Sequence, residues 1–288
     1  MARPRGGRRP PPSARRSRRR SRRNRGSDLG SRVLAAIPAI LFAIFIVVEG
    51  GLIFALGVAA FGIVCLAELY GLLDRAHPVK LAGFVTLIAL VLAAEYGSQF
   101  QVLLVTVAAL PFLFGLVLVG PRRRGATAAM AATVLGIYWI GLAIAHAVLL
   151  RELPHGDAIV VDVLVGTFVG DTGAYIGGRM FGRRPLAPEI SPNKTVEGLA
   201  IGMVVAIAAV WFAGLYQDWL SGVDALLLGL SVALVAPAGD LFESAIKRDL
   251  QVKDTGRFFG AHGGVLDRLD AVLFTMPVAY YVALALGI

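Results

Sequence analysis

The sequence predicts an all-α polytopic membrane protein with about nine transmembrane helices, the N-terminus in the cytoplasm and the C-terminus outside. Three observations carry that expectation. The 288 residues are 57% hydrophobic and only 16% charged, with mean hydropathy +0.74. Apolar runs of about 20 residues, the length that spans a bilayer core, recur along the chain. The basic residues fall almost wholly on one side when those runs alternate across a membrane. The period-2 alternation of an outer-membrane barrel is absent.

The expected spans cover residues 33–49, 52–72, 80–95, 99–119, 126–149, 157–178, 197–217, 223–242 and 269–287. Only Glu49-Gly50-Gly51 separates the first two, which predicts a tight helical hairpin. With the N-terminal tail inside, the cytoplasmic side receives Arg32, Arg75, Lys80, Arg122 to Arg124, Arg179, Arg183, Arg184 and Lys194. It also receives Lys247, Arg248, Lys253, Arg257 and Arg268, while the outer side receives only Arg151. A miscounted span would scramble this partition. The two chemically rich loops, 179–196 and 243–268, therefore face the cytoplasm. The protein is expected in the cell membrane, multi-pass, with its active site facing inward.

Three regions follow. Residues 1–30 form an Arg-rich cytoplasmic tail with almost nothing apolar to bury, so it is expected to be disordered. The total charge is +9, and residues 1–25 hold twelve Arg and no acid; without them the chain stands at −3. Such a tail fixes topology and attracts anionic lipid headgroups. It lacks aromatic residues to stack on bases, and no nucleic-acid partner is expected. It is not a signal peptide, because no small-residue cleavage site follows it. Residues 31–155 read as a scaffold of five spans, and residues 156–288 as a catalytic region of four spans and two loops.

The scaffold is poor in polar residues. Glu68 and Asp74 read as interfacial charges, and His146 and His155 as interfacial side chains. Pro111 is expected to kink the fourth span. The single cysteine, Cys65, reads as an inert buried thiol.

Polarity changes at the sixth span. Gly166-x-x-x-Gly170 and Gly173-x-x-x-Gly177 allow a neighbouring helix to approach closely. A carboxylate at membrane depth is costly unless paired, hydrated or metal-bound. Asp171, Tyr175 and Arg179 fall at i, i+4 and i+8, one stripe running to the cytoplasmic end. That stripe suits a polar cavity or a structural Asp–Arg pair; Asp162 lies deeper and has no such stripe. In the next loop Pro185, Pro188 and Pro192 prevent a helix, so an irregular but stiff segment is expected. Ser191-Pro192-Asn193-Lys194-Thr195 then opens the seventh span, with Glu197 in its first turns. Lys, Ser and Thr near a helix start suit phosphate, although the P-loop spacing is missing.

If the eighth helix continues past its apolar run, Asp240, Ser244 and Lys247 share a face. Asp267 and Asp270 share another at the start of the ninth span. Acids facing each other at a membrane boundary, with four or more basic residues nearby, suggest a divalent metal and a polyphosphate. Mg²⁺ takes a few carboxylates and completes its shell with water and phosphate oxygens, and Lys and Arg neutralise the remaining charge. Without Cys or His clusters the chain does not suit zinc.

Ser244-Ala-Ile-Lys247-Arg248, Lys253-Asp254, His262-Gly263-Gly264 and Asp267-Arg268-Leu269-Asp270 together resemble the signature of the phosphatidate cytidylyltransferase family, the CDP-diacylglycerol synthases. Asp171-Thr-Gly-Ala-Tyr175, Gly178-Arg179 and the loop from Leu186-Ala-Pro188 to Glu197-Gly198 resemble the same family's other block. The resemblance covers roughly residues 160–288; the first 155 residues resemble the family only in being hydrophobic spans.

The resemblance implies a nucleotidyltransferase of phospholipid biosynthesis. Its substrates are CTP and phosphatidic acid, its products CDP-diacylglycerol and pyrophosphate, and it requires Mg²⁺, with a second cation left open. On this footing Asp240 and Asp267 hold the metal, with Asp270 a third candidate and Asp171 lining the same cavity. Lys247, Arg248 and Lys253 bind the triphosphate or the leaving pyrophosphate. Lys194, Ser191 and Arg179 hold the lipid phosphate or the far side of CTP. Ser244, Arg268 and His262 complete the substrate-binding set, His262 by shaping its loop. Membrane lipids are partners, and the resemblance admits a homodimer. Two other readings are weighed against it: a CTP-dependent enzyme acting on a prenyl or ether lipid, and a transporter with buried acids.

Overall fold

The computed structural model describes residues 40–120, 125–256 and 263–288. The Arg-rich tail, the opening of the first expected span, Arg122 to Arg124, Arg257 and His262 lie outside the described residues. By its internal contacts the chain divides into Met1–Ile44 and Phe45–Ile288. The second unit carries every functional residue discussed below.

Nine helices follow one another among the described residues. They are α1 (Ile40–Glu49), α2 (Gly51–Leu72), α3 (Lys80–Tyr96), α4 (Gln99–Val119), α5 (Ala126–Arg151), α6 (Gly156–Phe181), α7 (Val196–Gly214), α8 (Gly222–Asp249) and α9 (Leu266–Leu286). Seven of them, all but α1 and α3, are long and apolar enough to cross a membrane. The protein is thus a multi-pass α-helical membrane protein, with seven candidate spans among the described residues where the sequence predicts about nine. The described part of α1 is short, and α3 has 17 residues, or about 25 Å of rise against a hydrocarbon core of about 30 Å.

Local sequence explains several departures from the expected bounds. α8 runs seven residues past its apolar stretch because Leu241-Phe-Glu-Ser-Ala-Ile-Lys247 is a good helix former, and the helix continues through Pro237. α4 likewise continues through Pro111. A π-helical turn, Ile137–Gly141, interrupts α5. The helical pattern of α9 breaks at Asp270 and Ala271. The loop after α6, expected to be irregular, contains an antiparallel pair of strands, β1 (Pro185–Ala187) and β2 (Ser191–Thr195). Proline is tolerated there because Pro185 opens a strand and the ribbon has only edges.

Lipid is as apolar as leucine, so close packing rather than hydrophobic burial joins such helices. α6 packs most extensively against α7. Along this seam a Cβ at Gly202 would lie 2.6 Å from Ala174 Cβ and 2.9 Å from the Gly170 carbonyl, and one at Gly177 would lie 2.7 Å from Ile201. The glycine spacing expected to admit a neighbour does admit one. In the scaffold the fully buried Tyr70 donates its hydroxyl to the Thr133 carbonyl at 2.9 Å.

One polar residue expected at an interface is used internally. His146 is buried, with Nδ1 2.7 Å from the Leu142 carbonyl and Nε2 3.1 Å from the Tyr281 hydroxyl, and so ties α5 to α9. His155 stacks on Trp219 at 4.4 Å. The buried Asp162 accepts two hydrogen bonds, at 3.1 and 3.0 Å, from the Gln217 amide beyond the far end of α7. Arg151 donates to the Val47 carbonyl at the end of α1. Cys65 is buried, as expected.

Gly202→Leu should destabilise the fold by about 1–3 kcal/mol through overpacking of the α6–α7 seam. Gly115→Ala, on a stretch of α4 with nothing within 4 Å, should leave stability unchanged or slightly raised. Thermal unfolding of the two purified variants in detergent checks the contrast.

Candidate active site

The C-terminal ends of α6 and α8, the N-terminal ends of α7 and α9, and the β1–β2 hairpin meet at one end of the bundle. A cavity of about 500 Å³ lies between α6, α7 and α8. Asp171, Tyr175 and Arg179 all line it, so the stripe expected on α6 forms one wall. Asn193, Lys194 and Asp240 close its polar end. Its remaining wall is small and apolar, from Gly170, Gly202, Ala206 and Ala236 among others. The cavity thus joins a charged end to an apolar slot between helices.

Asp240 belongs both to the cavity and to a second group. Ligand atoms of Asp240, Glu243 and Asp270 all lie within 4.8 Å of one another. α8 supplies the first two at i and i+3, on one face. α9 brings Asp270 because Gly239 lets its backbone in: a Cβ there would lie 2.6 Å from the Asp270 carbonyl. Unit charges at such spacing repel by roughly 3 kcal/mol per pair at an effective dielectric of about 20. Two lysines answer in part. Lys194, from β2, pairs with Asp240. Lys247, one turn beyond Glu243, pairs with Glu243 and with Asp267 at 2.9 Å.

The balance still favours a further cation. With Asp171 and Asp267 included, five carboxylates face two ammonium groups and the Arg179 guanidinium of the cavity wall. Glu243 is 2% exposed, and its Oε1 is buried without a hydrogen-bond partner. A buried carboxylate oxygen left unpaired is costly. Three convergent carboxylates with one oxygen unsatisfied are donors that suit a hard divalent cation.

Asp267 was expected to hold the metal with Asp240, and its surroundings give it other work. Its Oδ1 accepts from Lys247. Its Oδ2 accepts from the Thr255 amide at 2.8 Å, the Thr255 hydroxyl at 2.9 Å and the Gly264 amide at 2.7 Å. Oδ1 is thus committed to Lys247 of α8 and Oδ2 to the loop between α8 and α9. Gly263 supports this turn with φ of +85°, a conformation glycine adopts without strain. Of the three acids expected at the metal, Asp240 and Asp270 come together, with Glu243 beside them, and Asp267 lies outside that group.

The remaining expected residues distribute as follows. Arg248 donates Nε to the Ile190 carbonyl at 3.0 Å and so ties α8 to the hairpin. Ser244 lies a long 3.5 Å from Asp240 Oδ1. Ser191 opens β2 and is half-buried, outside the cavity lining. Lys253 and Arg268 are exposed, on either side of the residues that bind Asp267. His262 lies outside the described residues.

Glu243 is absent from the expected site residues, and Glu197 and Glu68 have roles other than those expected. Glu243 had a signal in its i+3 spacing from Asp240 and i+4 spacing to Lys247. Glu197 accepts from the Arg183 and Arg184 amides at 3.0 and 3.1 Å and from the Arg184 guanidinium at 2.9 Å, holding the hairpin to α7. Glu68, from α2, accepts from the amides of Val265 at 3.1 Å and Leu266 at 2.9 Å. No local pattern points to that contact, because the partners are 197 and 198 residues apart.

Known proteins resemble this chain along nearly its whole length. The cytidylyltransferase family matches residues 30–286. A phosphatidate cytidylyltransferase of Bacillus subtilis is 34% identical over 266 residues, covering 88% of this chain and 97% of the relative. One of Staphylococcus epidermidis is 31% identical over 252 residues, covering 86% and 96%. An uncharacterized Escherichia coli protein, YnbB, is 39% identical over 158 residues, covering 52% and 53%. The likeness therefore extends into the first helices, beyond the half that carries the motifs. The chain belongs to the cytidylyltransferase family.

Proposed function

We propose that this protein transfers the cytidylyl group of CTP to phosphatidate, giving CDP-diacylglycerol and pyrophosphate. The observation that carries the reading is the convergence of Asp240, Glu243 and Asp270, flanked by Lys194 and Lys247, at the polar end of a cavity with an apolar wall. Relatives named phosphatidate cytidylyltransferase favour this acceptor over a prenyl or ether lipid, and an enzyme over a transporter.

An oxygen of the phosphatidate phosphate attacks the α-phosphorus of CTP. The bond from that phosphorus to the oxygen bridging to the β-phosphate breaks, and pyrophosphate leaves. The nucleophile is already anionic, so no base must remove a proton and no covalent enzyme intermediate is needed. Catalysis is then positioning and charge neutralisation. Asp240, Glu243 and Asp270 would hold Mg²⁺, which when bound supplies Lewis-acid stabilisation of phosphate charge. Lys194 and Arg179 hold one phosphate group inside the cavity, with Ser191 nearby on the hairpin. Lys247, Arg248 and Lys253 face the triphosphate or the departing pyrophosphate. Asp267 holds Lys247 and the loop that follows α8. Asp171 keeps the cavity wall polar, where the headgroup meets the apolar slot.

The proposed topology is nine spans with the site in the cytoplasm, where CTP is, and the C-terminus outside. The one-sided distribution of Lys and Arg supports it. Residues 31–155 act as scaffold and 156–288 as the catalytic region.

Purified protein in liposomes should release pyrophosphate from CTP only when phosphatidate is present; activity with a prenyl acceptor alone would overturn the reading. Chelation should abolish turnover and Mg²⁺ should restore it. Asp240→Asn and Glu243→Gln should each lower kcat about a hundredfold or more, as loss of a metal-binding carboxylate does, with kinetics at saturating CTP as the check. In a Cys65→Ser background, a cysteine at Glu189 should react with an impermeant maleimide only after the cells are opened. One at Asp218 should react in intact cells.

A further inference from the structure

Glu68 stands in an unfavourable place for its own helix. It lies in the penultimate turn of α2, where the helix dipole disfavours a negative charge. Its carboxylate crosses to the start of α9 instead, where Oε1 accepts from the Val265 amide and Oε2 from the Leu266 amide. Amides at a helix start have no partner within the helix, and a carboxylate there satisfies them and gains from the dipole. The same carboxylate lies against both ends of the α8–α9 loop: a Cβ at Gly256 or at Gly264 would collide with it. Asp267 braces these ends from within, through Thr255 and Gly264. Glu68 braces them from the scaffold.

We infer that Glu68 is a positioning residue for the acid cluster. It sets where α9 begins, and therefore where Asp267 meets Lys247 and where Asp270 meets Asp240 and Glu243. Asp267 directly follows Leu266 and Asp270 lies four residues beyond it, so an unpinned helix start shifts both carboxylates together. The inference rests on the proposed cytidylyl transfer for its kinetic readout, and on geometry alone for its exchange readout. It also gives the first helices a part in the chemistry beyond contact with lipid.

The experiment uses the full chain in liposomes with CTP, phosphatidate and varied Mg²⁺. Glu68→Gln keeps the shape but puts an NH₂ group against one of the two amides. It should raise the half-saturating Mg²⁺ concentration about tenfold, the effect expected of a group that orients metal ligands. Gly264→Ala keeps the Glu68 side chain but forces its carboxylate to move, and should shift Mg²⁺ dependence the same way. Asp74→Asn, which removes an exposed pair with Lys80, should change nothing. A purely structural role would lower the yield or melting temperature of Glu68→Gln and leave its half-saturating Mg²⁺ at the wild-type value; that result in either folded variant overturns the inference. Hydrogen exchange at Val265 and Leu266 should speed up in Glu68→Gln whether or not the protein turns over, and unchanged exchange overturns it as well. Wild-type protein that transfers no cytidylyl group would instead overturn the proposed function and leave the exchange result to decide the role of Glu68.

Discussion

Lys247 is the group on which the site depends. Its ammonium pairs with Glu243 one turn back on α8 and with Asp267 at the start of α9. That one cation holds together two helices whose acids would otherwise repel each other. It does so where water is scarce, so the attraction is stronger than at an open surface. Lys194 makes the parallel link from the hairpin to Asp240. Neither pair neutralises the cluster. Two lysines against five carboxylates leave a negative centre rimmed by cations, a charge distribution that suits a divalent ion with phosphate beside it.

The rest of the architecture serves that centre by short distances. Gly239 admits the backbone of α9 to α8, and Gly170 and Gly202 bring α6 to α7. Small residues do this because helices in lipid gain little from burying apolar area and much from close contact. The same small residues leave a slot whose far wall is apolar while its near end carries Asp171, Lys194 and Asp240. A headgroup and its attached chains ask for that combination. The scaffold half contributes as well, since the Trp139 ring packs edge-on against Phe242 at 4.8 Å, directly before Glu243.

Much of this was legible in the sequence. Apolar runs located the helices to within a few residues. The i, i+4, i+8 stripe on α6 and the glycine spacing beside it both appear as expected. Asp240, Asp270, Lys194 and Lys247 were named from their helical registers and their motifs. What was not legible was the division of labour among the acids. Asp267 and Asp270 share a face in sequence, and only the folded loop shows that Thr255 and Gly264 donate three hydrogen bonds to Asp267 Oδ2. Glu243 shares a helix face with Asp240 and Lys247, yet a charge in that register is as compatible with a solvated face as with a site. The β1–β2 hairpin was hidden by its prolines, which exclude a helix without choosing what replaces it.

Composition and periodicity alone determined that the chain crosses a membrane as helices, and the motifs placed its candidate site residues in 171–270. The hydrophobic pattern is local and repeats every few residues, so it survives without knowledge of the fold. Tertiary structure alone decided which carboxylates converge, that Glu68 caps the last helix, and that His146 and Asp162 are satisfied inside the protein. Those outcomes depend on residues from different helices meeting. A contact between positions 68 and 266 leaves no mark on either segment, because the need it meets, two amides at a helix start, exists only once the chain has folded.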